Sequence, residues 1–475
     1  MVMATRRRLR IDRLVAAGIA VAVIAVGIAV YEHSDIQSTQ LATGTLQKVP
    51  GPSTTAPSSL TQKWSAATDP AYGAVASPYG VVITADPHTV TAHDWATGAV
   101  RWSYRRSNRT LCTIGSGDVD TRPFDPKKGF GTDGANNKVR GIPSVFAENG
   151  FCSQINTFDP VTGARSFTRT SPTGLRGQLT FGGPYAAWMD PTLVEIWRYD
   201  LYRTAQYGDL PNPTQPSRSH SGCLFTDLAV ADTQYATVEH CAANGPHARI
   251  ALNFTDPPTV NKAWDVFTLH PRMDVDTGSD TARIVGITAD RVAVLVSSPV
   301  PAVVLYDAAG TVISRTPVNI PAAEIVAADK SGRITPANSD TTARRSLIGT
   351  HLISVSQSAT DTAQPATSIP TTTPASTTPT SSTGDRPQVS VQTLTVDWVA
   401  TNALGLPAVV GGSLLMPVPG GLSVFDTSTG PTAGDSAAPA RTIAVNRNDY
   451  TGRVDASAIG TIMIETRGDQ VIALR

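Results

Sequence analysis

Charge is scarce in this sequence and it cancels: 16% of residues are charged, 38 Lys plus Arg against 38 Asp plus Glu. A nucleic-acid surface needs a basic stripe, which nothing here suggests; part of the positive charge sits in the first residues, which leaves the remainder mildly acidic. The four cysteines show no C-x-x-C and the eight histidines no H-x-x-H, so neither a zinc site nor dithiol redox chemistry is indicated. Neither G-x-S-x-G nor H-E-x-x-H occurs, and there is no phosphate loop. His220, His240 and His247 share no motif and read as ordinary surface or core histidines. From these absences no catalytic, cofactor-binding or metal-ligating residue is assigned.

What the chain does contain is a recurring hairpin. Residues 90–104 read VTAHDWATGAVRWSY: an apolar strand, a turn built on Asp94, Thr97 and Gly98, then Val100, Trp102 and Tyr104 alternating with polar neighbours. The pattern returns at 155–170 with Asp159 and Gly163, at 303–317 with Asp307 and Gly310, and at 422–430 with Asp426 and Gly430. Weaker copies lie at 194–207, with Asp200, and at 249–266. Spacing of roughly 40 to 60 residues, with another short apolar run before most copies, marks a radially repeated β architecture. Turns near residues 95, 159, 200, 256, 307, 397, 426 and 469 predict an all-β fold: a single closed β-propeller of eight blades, with seven the alternative.

The repeat resembles that of the PQQ-type, quinoprotein dehydrogenase-like β-propellers, with Trp102 and Trp264 where that family ends its repeats. With the tether described next, the chain is similar to actinobacterial membrane-anchored PQQ-binding-like propellers. The resemblance implies PQQ held between a tryptophan floor and a disulfide of adjacent cysteines, with Ca²⁺ held by Glu, Asn and Asp. No adjacent cysteines occur here, so neither PQQ nor Ca²⁺ is expected.

Residues 1–13 carry Arg6, Arg7, Arg8, Arg10 and Arg13 as a basic head; residues 14–31 are uncharged. About 18 residues at a rise of about 1.5 Å reach roughly 27 Å, enough for one transmembrane helix. The arginines predict a cytoplasmic N-terminus and an extracytoplasmic remainder. No A-x-A site follows the run at once, so an uncleaved anchor is expected, with a cleaved signal peptide the alternative. Residues 32–59, rich in Ser, Thr, Pro and Gln, read as a flexible linker spanning on the order of 30 Å. Residues 60–475 form the propeller, with a disordered Thr/Pro-rich insertion at 359–388. The strand-like piece LTQKWSA at 60–66, with Trp64, supplies the outer strand missing from the last blade.

Outside the cytoplasm an even cysteine count suggests disulfides, and Cys112–Cys152 and Cys223–Cys241 are favoured because each pair falls within one blade. Gly115–Gly141 reads as a long surface loop and the first candidate contact surface; Asp118, Asp120 and Asp125 within it, and Asp274, Asp276 and Asp280 later, fit the calcium-loop spacing poorly. Arg467-Gly468-Asp469 is a hairpin turn. The function expected is a non-enzymatic scaffold tethered in the cell envelope with a protein partner there. A PQQ-dependent dehydrogenase and a cell-wall ligand sensor are the alternatives.

Overall fold

A computed structural model describes the chain apart from residues 1, 33, 46–50, 52, 116, 119–139, 149, 172–173, 175–176, 199, 210–221, 256–271, 331–342, 361–390 and 428–438. The described strands form eight antiparallel sheets, the blades of a β-propeller. In chain order they are blade 1 (74–106), blade 2 (111–170), blade 3 (178–208), blade 4 (223–276), blade 5 (282–317), blade 6 (343–400), blade 7 (408–444) and blade 8. The repeats named near 95, 159, 200, 307, 426 and 469 fall in six different sheets; residue 397 lies within a strand of a seventh, blade 6, and residue 256 lies outside the described residues, so that eight sheets hold and seven do not.

Blade 8 takes strands from both chain ends. Gln62–Ala67 runs antiparallel to Gln470–Leu474, pairing Trp64 with Ala473 and Ala66 with Val471, and the strands 462–467 and 454–459 follow inward. The predicted outer strand is thus in place, with Trp64 buried.

By contacts the chain divides into two units. In the first, residues 1–203, 407–427 and 440–475, apolar side chains of neighbouring blades mix in shared clusters. Trp102, Tyr104 and Ile83 of blade 1 pack with Phe146 and Phe158 of blade 2, and Trp188 and Trp197 of blade 3 with Val145 and Ile155 of blade 2. In the second, residues 204–406 and 428–439, Val294 and Val304 of blade 5 pack with Val238 and Ile250 of blade 4 on one side. Leu295 and Leu305, which alternate with them along the strands, pack with Ile353 and Val355 of blade 6 on the other. Period-two alternation with both faces apolar is what a sheet covered on both sides requires.

Two stretches read from composition turn out differently in part. Within 32–59, a short helix Asp35–Ser38 leads into a strand Thr39–Ala42, which adds a fifth strand to blade 1 by pairing with Val100–Arg106. Within 115–141, Gly117–Asp118 pairs with Gly141 and Arg140; residues 119–139, including Asp120 and Asp125, lie outside the described residues. The Thr/Pro-rich insertion connects two adjacent strands, His351–Thr360 and Val391–Ala400, paired over their full lengths; its own residues 361–388 are not described. The helix Val2–Glu32 contains the apolar run, and a span within Leu14–Ser38 is long and apolar enough to cross a membrane.

Candidate functional site

The repeat turns have a common construction. Asp94 Oδ1 accepts from Ala96 N at 3.0 Å, Thr97 N at 2.9 Å and Thr97 Oγ1 at 3.0 Å, while Gly98 N donates to Asp94 O. Asp159 Oδ1 repeats this with Val161 N at 3.0 Å, Thr162 N at 2.7 Å and Thr162 Oγ1 at 2.9 Å. Asp307 holds Ala309 N and Thr311 N in a looser version. Gly98 and Gly163 both sit at φ +74°, where a side chain is disfavoured. Space excludes one as well: a Cβ on Gly163 would lie 2.5 Å from the Trp102 ring, and one on Gly98 2.8 Å from the Trp64 ring.

The turns at Gly98 and Gly163 are therefore sockets for the preceding blade's tryptophan, whereas a Cβ on Gly310 would meet Val275 of blade 4. Trp102 Nε1 donates to Pro160 O at 2.9 Å, and Trp64 Nε1 to Trp95 O at 3.0 Å. These aspartates shape the sockets: their Oδ1 atoms accept from the turn's own donors, and Asp94 Oδ2 pairs with Arg101 Nε at 3.5 Å. Asp426 closes its strand in blade 7, whereas Gly430 and Trp264 lie outside the described residues.

Both disulfides lie within a blade: Cys112 is joined to Cys152 in blade 2, and Cys223 to Cys241 across paired strands of blade 4. Among the described residues, Cys223, Cys241 and buried Glu239 lie close enough to hold a metal ion, but the two sulfurs are bonded to each other. Tyr207 Oη donates to Glu239 at 3.2 Å. Burial pushes its phenol well up, and the Glu239 charge adds to this, so it stays a donor.

Other buried carboxylates sit in structural pairs. Glu465 binds Arg447 at 2.7 Å and Arg467 at 2.7 Å, and Arg447 also donates to Val418 O and Gly421 O, tying blade 8 to blade 7. Glu195 accepts from Ser171, Trp197 and Arg203. His93 bonds Thr84 Oγ1 at 2.9 Å and Gly98 O at 3.1 Å, and burial lowers its pKa. Asp274 forms an ion pair with Arg249, and Asp276 Oδ1 lies at hydrogen-bond distance, 3.1 Å, from His247 Nδ1, so both carboxylates are engaged across blade 4.

The site that sequence reading missed lies just beyond the apolar helix. Asp35 receives Arg109 Nη2 at 2.8 Å, Asn108 Nδ2 at 2.8 Å and an ion pair from Arg106 Nη2 at 3.0 Å. The Arg109 hydrogen bond, aided by Asn108 and the two arginine charges, holds the Asp35 carboxyl at about 2 although partial burial opposes this. Ser107 N donates to Ser38 O at 2.9 Å, and Gly44 N to Thr162 O at 2.8 Å. Gly44 passes so close to blade 1 that a Cβ would meet Arg101 O at 2.8 Å. Asp35–Gly44 is in effect a strap across blades 1 and 2. The sole advance signal was an isolated acid after a polar break, indistinguishable from linker composition. Gly129, Gly131 and Gly134 have dinucleotide-loop spacing, but Lys127 and Lys128 stand before them where that motif needs an apolar strand, and the stretch is not described.

No family model and no curated protein matches the sequence. Among solved structures, the chain is similar to BamB from Moraxella catarrhalis, at 11% identity and a TM-score of 0.41, covering 88% of this chain and 99% of that one. It is also similar to the β-propeller domain of Cps50 (Swd1) from Myceliophteria thermophila, at 8% identity and a TM-score of 0.40, covering 86% of this chain and 98% of that one. A chain of a mitotic checkpoint complex matches at 10% identity and a TM-score of 0.39, covering 91% of this chain and 96% of that one. The blade assignment rests on the strand pairing itself.

Proposed function

We propose that this chain is a single-pass, membrane-tethered scaffold that presents propeller blades to a protein partner outside the cytoplasm. The observation that carries the reading is the strap. Asp35 is fixed to blade 1 three residues after the helix ends at Glu32, so the anchor leads into the blades without a long free tether. A fixed standoff suits a platform acting at the membrane surface. The arginine head supports a cytoplasmic N-terminus, and two disulfides support an oxidising surrounding for the blades.

The surface offered to the partner is the outer strand of blade 5, Val312–Pro317, exposed along its whole length and carrying Val312 and Ile313. An exposed outer strand bearing apolar side chains suits a partner strand added along its edge. The reading uses neither PQQ nor Ca²⁺; all four cysteines serve cross-strand bridges, which leaves no adjacent pair for the PQQ arrangement.

A photo-crosslinking side chain at Val312 in full-length protein in intact cells is expected to capture one discrete partner, lost in Ile313→Asp. Absence of any adduct at Val312, or an adduct indifferent to Ile313→Asp, refutes the docking strand. Turnover on adding PQQ and Ca²⁺ to the full chain, followed by dye reduction, refutes the non-enzymatic reading.

A further inference from the structure

The first strands of blades 4, 5 and 6 bring together three charges that the blade-locking pairs do not use. Asp227 lies at a bulge in Cys223–Val230 and is buried. Its Oδ1 accepts from Leu228 N at 2.8 Å, and its Oδ2 from Ile284 N at 2.8 Å, so each oxygen already holds a backbone donor. Arg283, 5% exposed, reaches the same Oδ2 with Nε at 3.5 Å. Its Nη1 is buried and finds no partner among the described residues.

Arg344 stands on the first strand of blade 6, half-buried, and its Nε is likewise buried with no partner among the described residues. The first strand of blade 6 packs against the first strand of blade 5, which carries Arg283. Burial lowers the pKa of Arg344; the Asp227 charge opposes that shift and the Arg283 charge adds to it.

Among the described residues, Arg283 and Arg344 set two positive charges against the one negative charge of Asp227, whose oxygens already hold backbone donors. A guanidinium cannot discharge by losing its proton at ordinary pH, and an uncompensated buried charge is costly. Orphaned guanidinium N–H groups therefore call for an oxyanion, and the planar fork of Arg suits the paired oxygens of a carboxylate or a phosphate. Rigid strands hold both side chains, while the partial exposure of Arg344 leaves a way in.

We propose that Arg283 and Arg344 form a binding site for a small oxyanion, a carboxylate or a phosphate, with Asp227 fixing Arg283 in position. The site is independent of the scaffold reading, which stands or falls on the crosslink at Val312.

The test is calorimetric titration of the full chain in detergent at constant ionic strength, with inorganic phosphate in one arm and succinate in the other. At least one is expected to bind saturably in the millimolar range or tighter, and the arm that binds more tightly identifies the class. Arg344→Gln is expected to weaken binding about tenfold or more, as charge-assisted bonds to one guanidinium are lost. Its unfolding midpoint without ligand should stay at or above that of wild type, because a poorly compensated charge has been removed. Arg344→Lys, which keeps the charge and loses the fork, should fall between the two. Arg315→Gln, on the outer strand of blade 5, serves as the control and should bind as wild type. Saturable binding of neither anion overturns the site, and so does equal binding by Arg344→Gln and wild type. A midpoint that falls in Arg344→Gln without loss of anion binding assigns the residue a purely structural role and overturns it too.

Discussion

Replacing Asp35 with Asn should loosen the strap while leaving the blades intact. The Asp35 side chain is 51% exposed, so its pair with Arg109 is screened and worth no more than about 1 kcal/mol. Arg106 is different: its side chain is 2% exposed, and without the carboxylate its partners among the described residues are neutral, Tyr104 Oη and Gln154 Oε1. Leaving that guanidinium short of a counter-charge adds about 1 kcal/mol, discounted because the carboxylate itself faces water. The sum, about 1–2 kcal/mol, corresponds to roughly a 5–30-fold rise in the open population of the strap. Amide hydrogen exchange on the full chain in detergent reads this directly. Peptides covering Thr39–Ala42 should exchange faster by that factor in Asp35→Asn, with blade 5 peptides unchanged. The pH dependence has a fixed sign. Since the folded carboxyl sits at about 2, below its ordinary value of 3.8, the contribution is complete above pH 3.8 and is lost as pH falls through about 2. The strap is therefore indifferent to pH across the neutral range. Unchanged exchange at Thr39–Ala42, or faster exchange spread over every blade, would refute the clamp.

Other outcomes follow from the same contacts. Gly163→Ala should destabilise the protein by about 1–3 kcal/mol in a denaturant titration, because the new methyl group meets the Trp102 ring and the backbone has positive φ. Glu465→Gln strands Arg447 and Arg467, both nearly buried, and should cost about 3–5 kcal/mol by the same measurement. Burial depresses the pKa of His93, so the unfolded chain binds its proton first. Stability is retained above the ordinary histidine range near pH 6.5 and declines as pH falls below it; a thermal-melt series should show a shallower decline in His93→Gln.

Local hairpins made the blades legible. Asp94-x-x-Thr97-Gly98 and Asp159-x-x-Thr162-Gly163 announce themselves because turn, donor and acceptor lie within five consecutive residues. Trp64 was readable as the partner of the C-terminal strands because a blade lacking one strand demands it. The tryptophan sockets were not, since they join Trp102 to a glycine in the next repeat and depend on packing distance rather than pattern. The strap escaped because Thr39–Ala42 is held by backbone ladder bonds and one carboxylate, neither of which leaves a compositional trace. Asp227, Arg283 and Arg344 lie about one blade apart in sequence, so their convergence is a product of sheet stacking, and each alone looks like a charge in an ordinary strand.

The two-ended construction of blade 8 sets a timetable for assembly. Thr61 Oγ1 donates to Arg475 O across 414 residues, and Gln62–Ala67 has its ladder partner in the last residues of the chain. During synthesis the early strand emerges first and waits for its partner, its hydrogen-bonding edge open and Trp64 unburied, while the strands of the other blades find their partners much closer in sequence. Contacts of that sequence separation are slow to form, and an open edge in the interval invites foreign strands. The newborn molecule thus carries a vulnerable seam until Gln470–Leu474 arrives, and a nascent chain cut short before that strand would keep the seam for its lifetime.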